Sequence, residues 1–483
     1  TSATNVYNTA VGHDAGKAIT TGVLNTLVGG LAGDALTTGD NNIAIGYQAL
    51  SGDTQGDRNV AVGIQALLSQ NFTSSTDVYN TAVGFAAGAS ITTGIGNSLL
   101  GGLAGDALTD ADYNVAVGSY ALTADTLGSR STAIGVSALE SQNFTSATNT
   151  YNTAVGFAAG GAITTGLYNT LIGGLAGDAL TDGSDNVALG INALSSDIRG
   201  SKATAIGSGA LATQGFASAT DTYNTAVGFN SGVSVTTGVQ NTLIGGLAGD
   251  ALTDGSNNVA LGINALSSDI RGSKATAIGS GALATQGFAS ATDTYNTAVG
   301  FNSGVSVTTG TNNTFVGGLA GDAFTDADFN VGVGKNALGA DTLGSKSTAI
   351  GTFALETQNF TSATDALNTA VGYYAGLSVS TGIKNTLIGG LAGDALTDAD
   401  FNVAVGQSAL SADTLGSRSV AIGSSALASQ NFTSATDAFN TAVGHVAGYA
   451  ITTGVGNSFL GGLAGDALSD GNYNVAVGSY ALT

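Results

Sequence analysis

One short pattern, met first as NTAVG at residues 8–12, recurs 27 times along the 483 residues of this chain. NTAVG or a close variant begins at Asn8, Asn80, Asn152, Asn224, Asn296, Asn368 and Asn440, a period of 72 without slip. Inside the first 72, equivalent starts at Asn8, Asn25, Asn42, Asn59 and Asn80 give steps of 17, 17, 17 and 21 residues. The fourth residue of the unit is Val, Ile or Leu and the fifth is Gly in all 27 units; the eighth is Ala in 25, with Ser231 and Ser303 the exceptions. A fixed period of this kind outranks any local propensity, and strictness at apolar and glycine positions is a packing rule.

The rule predicts an all-β fold. Glycine every few residues costs a helix about 1 kcal/mol at each interior position. Short stretches such as TAVG, IAIG and VAVG propose strands, with Gly, Asn, Asp, Ser and Thr supplying the corners. The expected architecture is a single parallel β-solenoid over residues 1–483, 27 coils of 17 or 21 residues grouped in 72-residue repeats. Stacked at ~4.8 Å per coil, it would form an elongated fibre about 130 Å long.

Alternation along NTAVG places Thr9 and Val11 on one side of the strand and Ala10 on the other. The invariant branched aliphatic is expected to fill the interior, which makes Val11, Val28, Ile45, Val62, Val83 and Val155 the structural core. The alternate position is also apolar: Ala in most coils, Leu or Phe in the second coil of each repeat, Gly at Gly332. A strand apolar on both faces is covered on both faces. Ala10, Leu27, Ala44, Leu99, Leu171 and Phe315 are therefore expected to form a seam against another copy of the chain.

Composition excludes several classes. Eleven Lys and Arg against 33 Asp and Glu give a formal charge of −22, which disfavours binding to phosphate backbones or anionic membranes. There is no cysteine for disulfide or thiol chemistry, and no apolar run approaches the ~20 residues of a membrane-spanning helix. Charged residues are only 9% of the chain and glycines number 75, with no proline, so the chain is expected to fold around small side chains.

NVAVGSYAL at 114 and 474, STAIGVSAL at 131 and SVAIGSSAL at 419 resemble the SVAIG-type repeats of YadA-like trimeric autotransporter heads. YNTAVGFAAGASITTGIGN at 79 is similar to repeats of bacteriophage tail fibres. The resemblance covers essentially the whole chain. It implies a left-handed β-roll, three chains side by side, and an extracellular role in surface attachment on a virion or bacterial cell.

Candidate sites are few. The glycine-rich string NTLVGGLAGDAL at 25–36 is the first of seven near-identical copies, and no Lys follows Gly33 as a phosphate loop requires. Gly29, Gly30, Asp34 and Leu36 match part of a calcium-binding nonapeptide, yet such aspartates recur here every 72 residues rather than every nine. The plainer expectation has Gly29 and Gly30 turning a corner at positive φ, Leu31 and Ala32 packing inward, and Asp34 capping a turn. The longer fourth coil carries Phe72, Phe144, Phe216, Phe288, Phe360 and Phe432 in polar surroundings; these are candidate contacts to a host-surface glycan or protein receptor, or clamps folded back on the coil. Arg58, Arg130, Lys202, Lys274, Lys346 and Arg418 recur in phase, five residues after Asp53, Asp125, Asp197, Asp269, Asp341 and Asp413, and are expected to pair with them. His13 and His445 stand 432 residues apart with no second ligand in phase, and no catalytic constellation breaks the repeat.

The expected function is a structural, non-enzymatic fibre segment of an attachment organelle, without cofactor, homotrimeric and not inserted in a membrane. An uncapped solenoid also suits end-to-end growth into a surface filament, with calcium as a conceivable stabiliser. TTG at Thr20, Thr92 and Thr164 raises ice binding as a lesser alternative.

Overall fold

A computed structural model describes residues 5–483. The chain forms two compact units, Thr1–Gln240 and Asn241–Thr483. The described residues contain no helix; they carry 27 three-residue strands, 13 in the first unit and 14 in the second. Within each unit every such strand pairs in parallel with its equivalent in the next coil. Thr9, Ala10 and Val11 face Thr26, Leu27 and Val28 across a 17-residue coil, and Val60, Ala61 and Val62 face Thr81, Ala82 and Val83 across a 21-residue one. Both units are therefore parallel β-solenoids with the coil lengths that the repeat dictates.

The two strand faces are the reverse of the sequence-based expectation. Leu27, Ala44, Leu99, Leu171 and Phe315, assigned to a seam, are fully buried inside the coil, with at most 1% of their surface exposed. Ala10 belongs to the same column but is exposed on the first coil. Val11, Val28, Ile45, Val62, Val83 and Val155, assigned to the core, point outward and are exposed or half-buried. The physical reason is width. Three of every 17 residues are strand and the rest are turns, so the coil walls lie too close for an unbroken column of branched side chains. Alanine of the strand and alanine of the eighth position, Ala32, Ala49 and Ala66 for example, fill that thin interior together with turn leucines such as Leu36 and Leu50.

Where a larger side chain enters, a glycine yields to it. A methyl added at Gly33 would lie 2.9 Å from a Leu27 methyl and 2.8 Å from Leu36. Phe315 goes further: it stacks on Phe324 with ring centroids 5.3 Å apart, and Gly332, where other coils carry Ala, leaves it room. At Ser303, one of the two exceptions at the eighth position, the hydroxyl donates to the Phe315 carbonyl at 3.1 Å.

The first residue of the unit builds a second interior column, of asparagines. Asn25 N–H donates to Asn8 Oδ1 at 2.8 Å, while Asn25 Nδ2 donates to the Gly39 carbonyl; Asn42 repeats both bonds on Asn25 Oδ1 and the Gly56 carbonyl. Asn25 and Asn42 thereby satisfy their own polar atoms and a coil's turn, as a buried polar group requires, whereas Asn59 Oδ1, at the first fourth coil, has no partner.

In most fourth coils that column is broken by Ser131, Ala203, Ala275, Ser347 or Ser419. There the longer coil supplies a substitute. Asp125, fully buried, accepts Gln142 Nε2 on Oδ2 and the backbone N–H groups of Gly128 and Phe144 on Oδ1; Gln142 Oε1 in turn accepts Asn152 Nδ2 at 2.9 Å. Burial pushes the Asp125 carboxyl above its ordinary value, and the Gln142 amide and backbone N–H groups oppose that rise. The first repeat, which keeps Asn59, builds the same network from Asp53, Gln70 and Asn80, so it belongs to the longer coil whether or not the asparagine column is broken.

Candidate functional site

The feature that the folded coil leaves unsatisfied is its outward strand face. Three columns line it: the second residue of the unit, mostly Thr, Val or Ile; the fourth, Val, Ile or Leu; and the sixth, just past the invariant glycine. Leu100 is 50% exposed, Ile45 39% and Ile388 39%. The sixth column adds Phe85, Phe157, Phe229 and Phe301 at 56–62%, with Ile191 and Ile263 between them. An apolar face sustained coil after coil exceeds what monomeric surfaces ordinarily expose.

Of the two readings of the phenylalanines in the longer coil, surface contact or clamp, the burial supports the clamp. Phe72, Phe144, Phe216, Phe288, Phe360 and Phe432 are only 5–8% exposed, so they are not surface contacts but clamps. Phe432 packs over the backbone of Gly416, and Phe72 N–H donates to Asp53 Oδ1 at 3.1 Å. The coil turns the neighbouring Asn, Thr and Ser outward and the ring inward, as at Asn431, Thr433 and Phe432.

The recurring cations do not pair with the aspartates five residues earlier, which are buried in the amide network. They reach across to the next coil. Lys202 meets Asp221 at 2.5 Å, Lys274 meets Asp293 at 2.6 Å, Lys346 meets Asp365 at 2.6 Å and Arg418 meets Asp437 at 2.8 Å, and Arg58 pairs with Asp77. Arg130, opposite Asn149, instead donates to the Tyr151 hydroxyl and lies between the Tyr113 and Tyr151 rings. The hydrogen-bonded Asp293 and the Tyr295 hydroxyl raise the Lys274 ammonium above its ordinary value. These pairs are exposed and screened, and they contribute little to stability.

In NTLVGGLAGDAL only half of the expected corner holds. Gly29 has φ +140° and stands so close to the next coil that a methyl would fall 2.4 Å from the Gly46 carbonyl oxygen. Gly30 lies outside the positive-φ region, with no close neighbour beyond ordinary contact with Tyr47. Ala32 is buried, whereas Leu31 is only partly so and itself takes φ +58°. Asp34 Oδ1, like that of Asp178, Asp250, Asp394 and Asp466, has no hydrogen-bond partner and caps nothing. Desolvation raises the carboxyls of Asp178, Asp250 and Asp394 above their ordinary value. No group of three or more His, Cys, Asp or Glu suited to a metal ion occurs among the described residues.

In the first repeat threonines form a column over three coils, Thr20, Thr37 and Thr54, whereas Ile198 and Ile270 interrupt it in later repeats. Their hydroxyls are used internally: Thr20 donates to the Thr37 carbonyl, Thr37 to that of Thr54, and Thr54 to that of Phe72. His13 and His445 are exposed in the sixth column, in the phase that Phe85 occupies one repeat on.

No protein-family model matches the chain, and no curated protein matches it.

Proposed function

We propose that the chain is a non-enzymatic structural fibre segment of an extracellular attachment organelle, a phage tail fibre or bacterial surface adhesin, in which copies associate through the outward strand face. The observation that carries this reading is the unbroken outward column of Val, Ile and Leu, which each coil builds and its own unit leaves exposed or half-buried. A partner for that column must offer apolar rungs at the same ~4.8 Å repeat, and a second copy of this chain does so by construction. The resemblance to trimeric autotransporter heads and tail-fibre repeats favours three copies and an extracellular setting. The side chains pointing into the coil serve packing and the amide network, so the work assigned to this chain is mechanical: a stiff spacer without cofactor. Native mass spectrometry of the purified chain tests this, with a trimer expected; a single copy at micromolar concentration would overturn the association.

A further inference from the structure

Glycine occupies the sixth column in the second coil of every repeat, at Gly30, Gly102, Gly174, Gly246, Gly318, Gly390 and Gly462. Nothing in the coil asks for it. None of the seven has φ in the positive region. A methyl built on Gly174 or Gly246 meets nothing within 4 Å, and on Gly102, Gly318 or Gly390 it meets one atom at 3.9–4.0 Å. The same column accepts Tyr47, Ile64, Val136 and Ile191 in other coils. The contrast with its neighbour is sharp: Gly173 is required by its own fold, since a methyl there would lie 2.4 Å from the Gly190 carbonyl oxygen, and Gly174 is not. A glycine that its own coil does not need is needed by what comes against it.

One coil earlier in the same column stands the complement. Phe85 precedes Gly102, Phe157 precedes Gly174, Phe301 precedes Gly318 and Tyr373 precedes Gly390, each ring 56–62% exposed. Leu103 N–H bonds to the Phe85 carbonyl and Leu175 N–H to that of Phe157, so knob and hole lie on adjacent coils. We propose that this column sets the axial register between copies of the chain: the aromatic knob of one copy seats over the glycine of its neighbour. Adjacent coils are ~4.8 Å apart, a step that a benzyl side chain spans, so copies at equal height interlock by leaning each ring one coil along. The Phe or Tyr knob recurs every 72 residues from Phe85 to Tyr373, with His13 and His445 at that position before Gly30 and Gly462, so a slip of one coil sets rings against occupied positions, whereas the Val and Ile column alone would tolerate it. The inference rests on the association proposed above and adds its register.

The test fills the holes with Gly102→Phe, Gly174→Phe, Gly318→Phe and Gly390→Phe together. A second protein adds Phe85→Gly, Phe157→Gly, Phe301→Gly and Tyr373→Gly, exchanging knobs for holes. The filled chain is expected to keep its far-ultraviolet β signal and to lose at least tenfold in association by sedimentation. The exchanged chain is expected to associate with itself but not with the parent on mixing. A filled chain that associates like the parent overturns the register, as does an exchanged chain that mixes freely. Loss of the β signal on filling overturns it too, because the glycine would then serve its own coil. A parent that sediments as a single chain overturns the association itself, which keeps the two failures distinct.

Discussion

The two faces of one three-residue strand are both apolar, yet they follow different rules. The inward face is small and variable in a compensated way: Ala in most coils, Leu171 beside Gly177, Phe315 beside Gly321 and Gly332. On the outward face the fourth position of the unit is branched in every coil and never adjusts to its own interior. Compensation marks a surface whose partner lies within the same coil. Uniformity marks one whose partner must match at every rung.

The sharpest way to break the comparison is at the glycines beside the strand. Gly156, at φ +141°, would push a methyl to 2.4 Å from the Gly173 carbonyl oxygen. Gly156→Ala is expected to cost about 4 kcal/mol or more, a range reached only at special backbone positions or buried charges. Gly174→Ala is expected to change the stability of the isolated coil by less than about 0.5 kcal/mol. Urea unfolding of the two variants side by side measures both.

Next in size is the inward face itself. Leu171→Ala leaves a cavity in a wall that cannot collapse, at an expected cost of about 2–5 kcal/mol. The adjacent outward Ile172→Ala should leave the unfolding midpoint of a single chain nearly unchanged, its loss appearing in association instead.

The amide network gives a smaller and pH-dependent effect. Gln142→Ala removes a donor to Asp125 and an acceptor from Asn152, which costs about 1–3 kcal/mol in unsatisfied buried groups. Burial holds the folded Asp125 carboxyl above its unfolded value. Its neutral form is therefore favoured by folding: the stabilising effect is full at acid pH and is lost as pH rises through the folded value. Asp178, Asp250 and Asp394 shift in the same direction. Thermal midpoints are thus expected to rise as pH is lowered from ~7 toward ~4.5, and Asp125→Asn should flatten part of that rise.

The coil was legible in the sequence because Gly12 and its 26 equivalents leave no other regular structure open, and because the 17 and 21 steps carry straight into the strand register. The sign of the faces was not legible. Alternation distinguishes Ala10 from Val11 but is symmetric about the strand, and only the separation of the coil walls decides which side is thin. The partners of Arg58 and Lys202 were missed for a related reason: in a solenoid a residue 19 positions on, one coil away, lies closer than one five positions back along the turn. Phe72 was legible as a clamp, and only its alternative reading as a surface contact fails, because the ring is buried. Gly30 was read with Gly29 as one corner, although only Gly29 bends the chain.

The central claim is that the inward face builds the coil and the outward face joins copies. It is tested most directly by Val62→Ser, Val83→Ser, Val117→Ser, Ile134→Ser and Val155→Ser in one chain, with circular dichroism and sedimentation equilibrium on the same sample. The account predicts an undiminished β signal and a mass that falls to a single copy. An unchanged oligomeric mass, or a lost β signal, would contradict it.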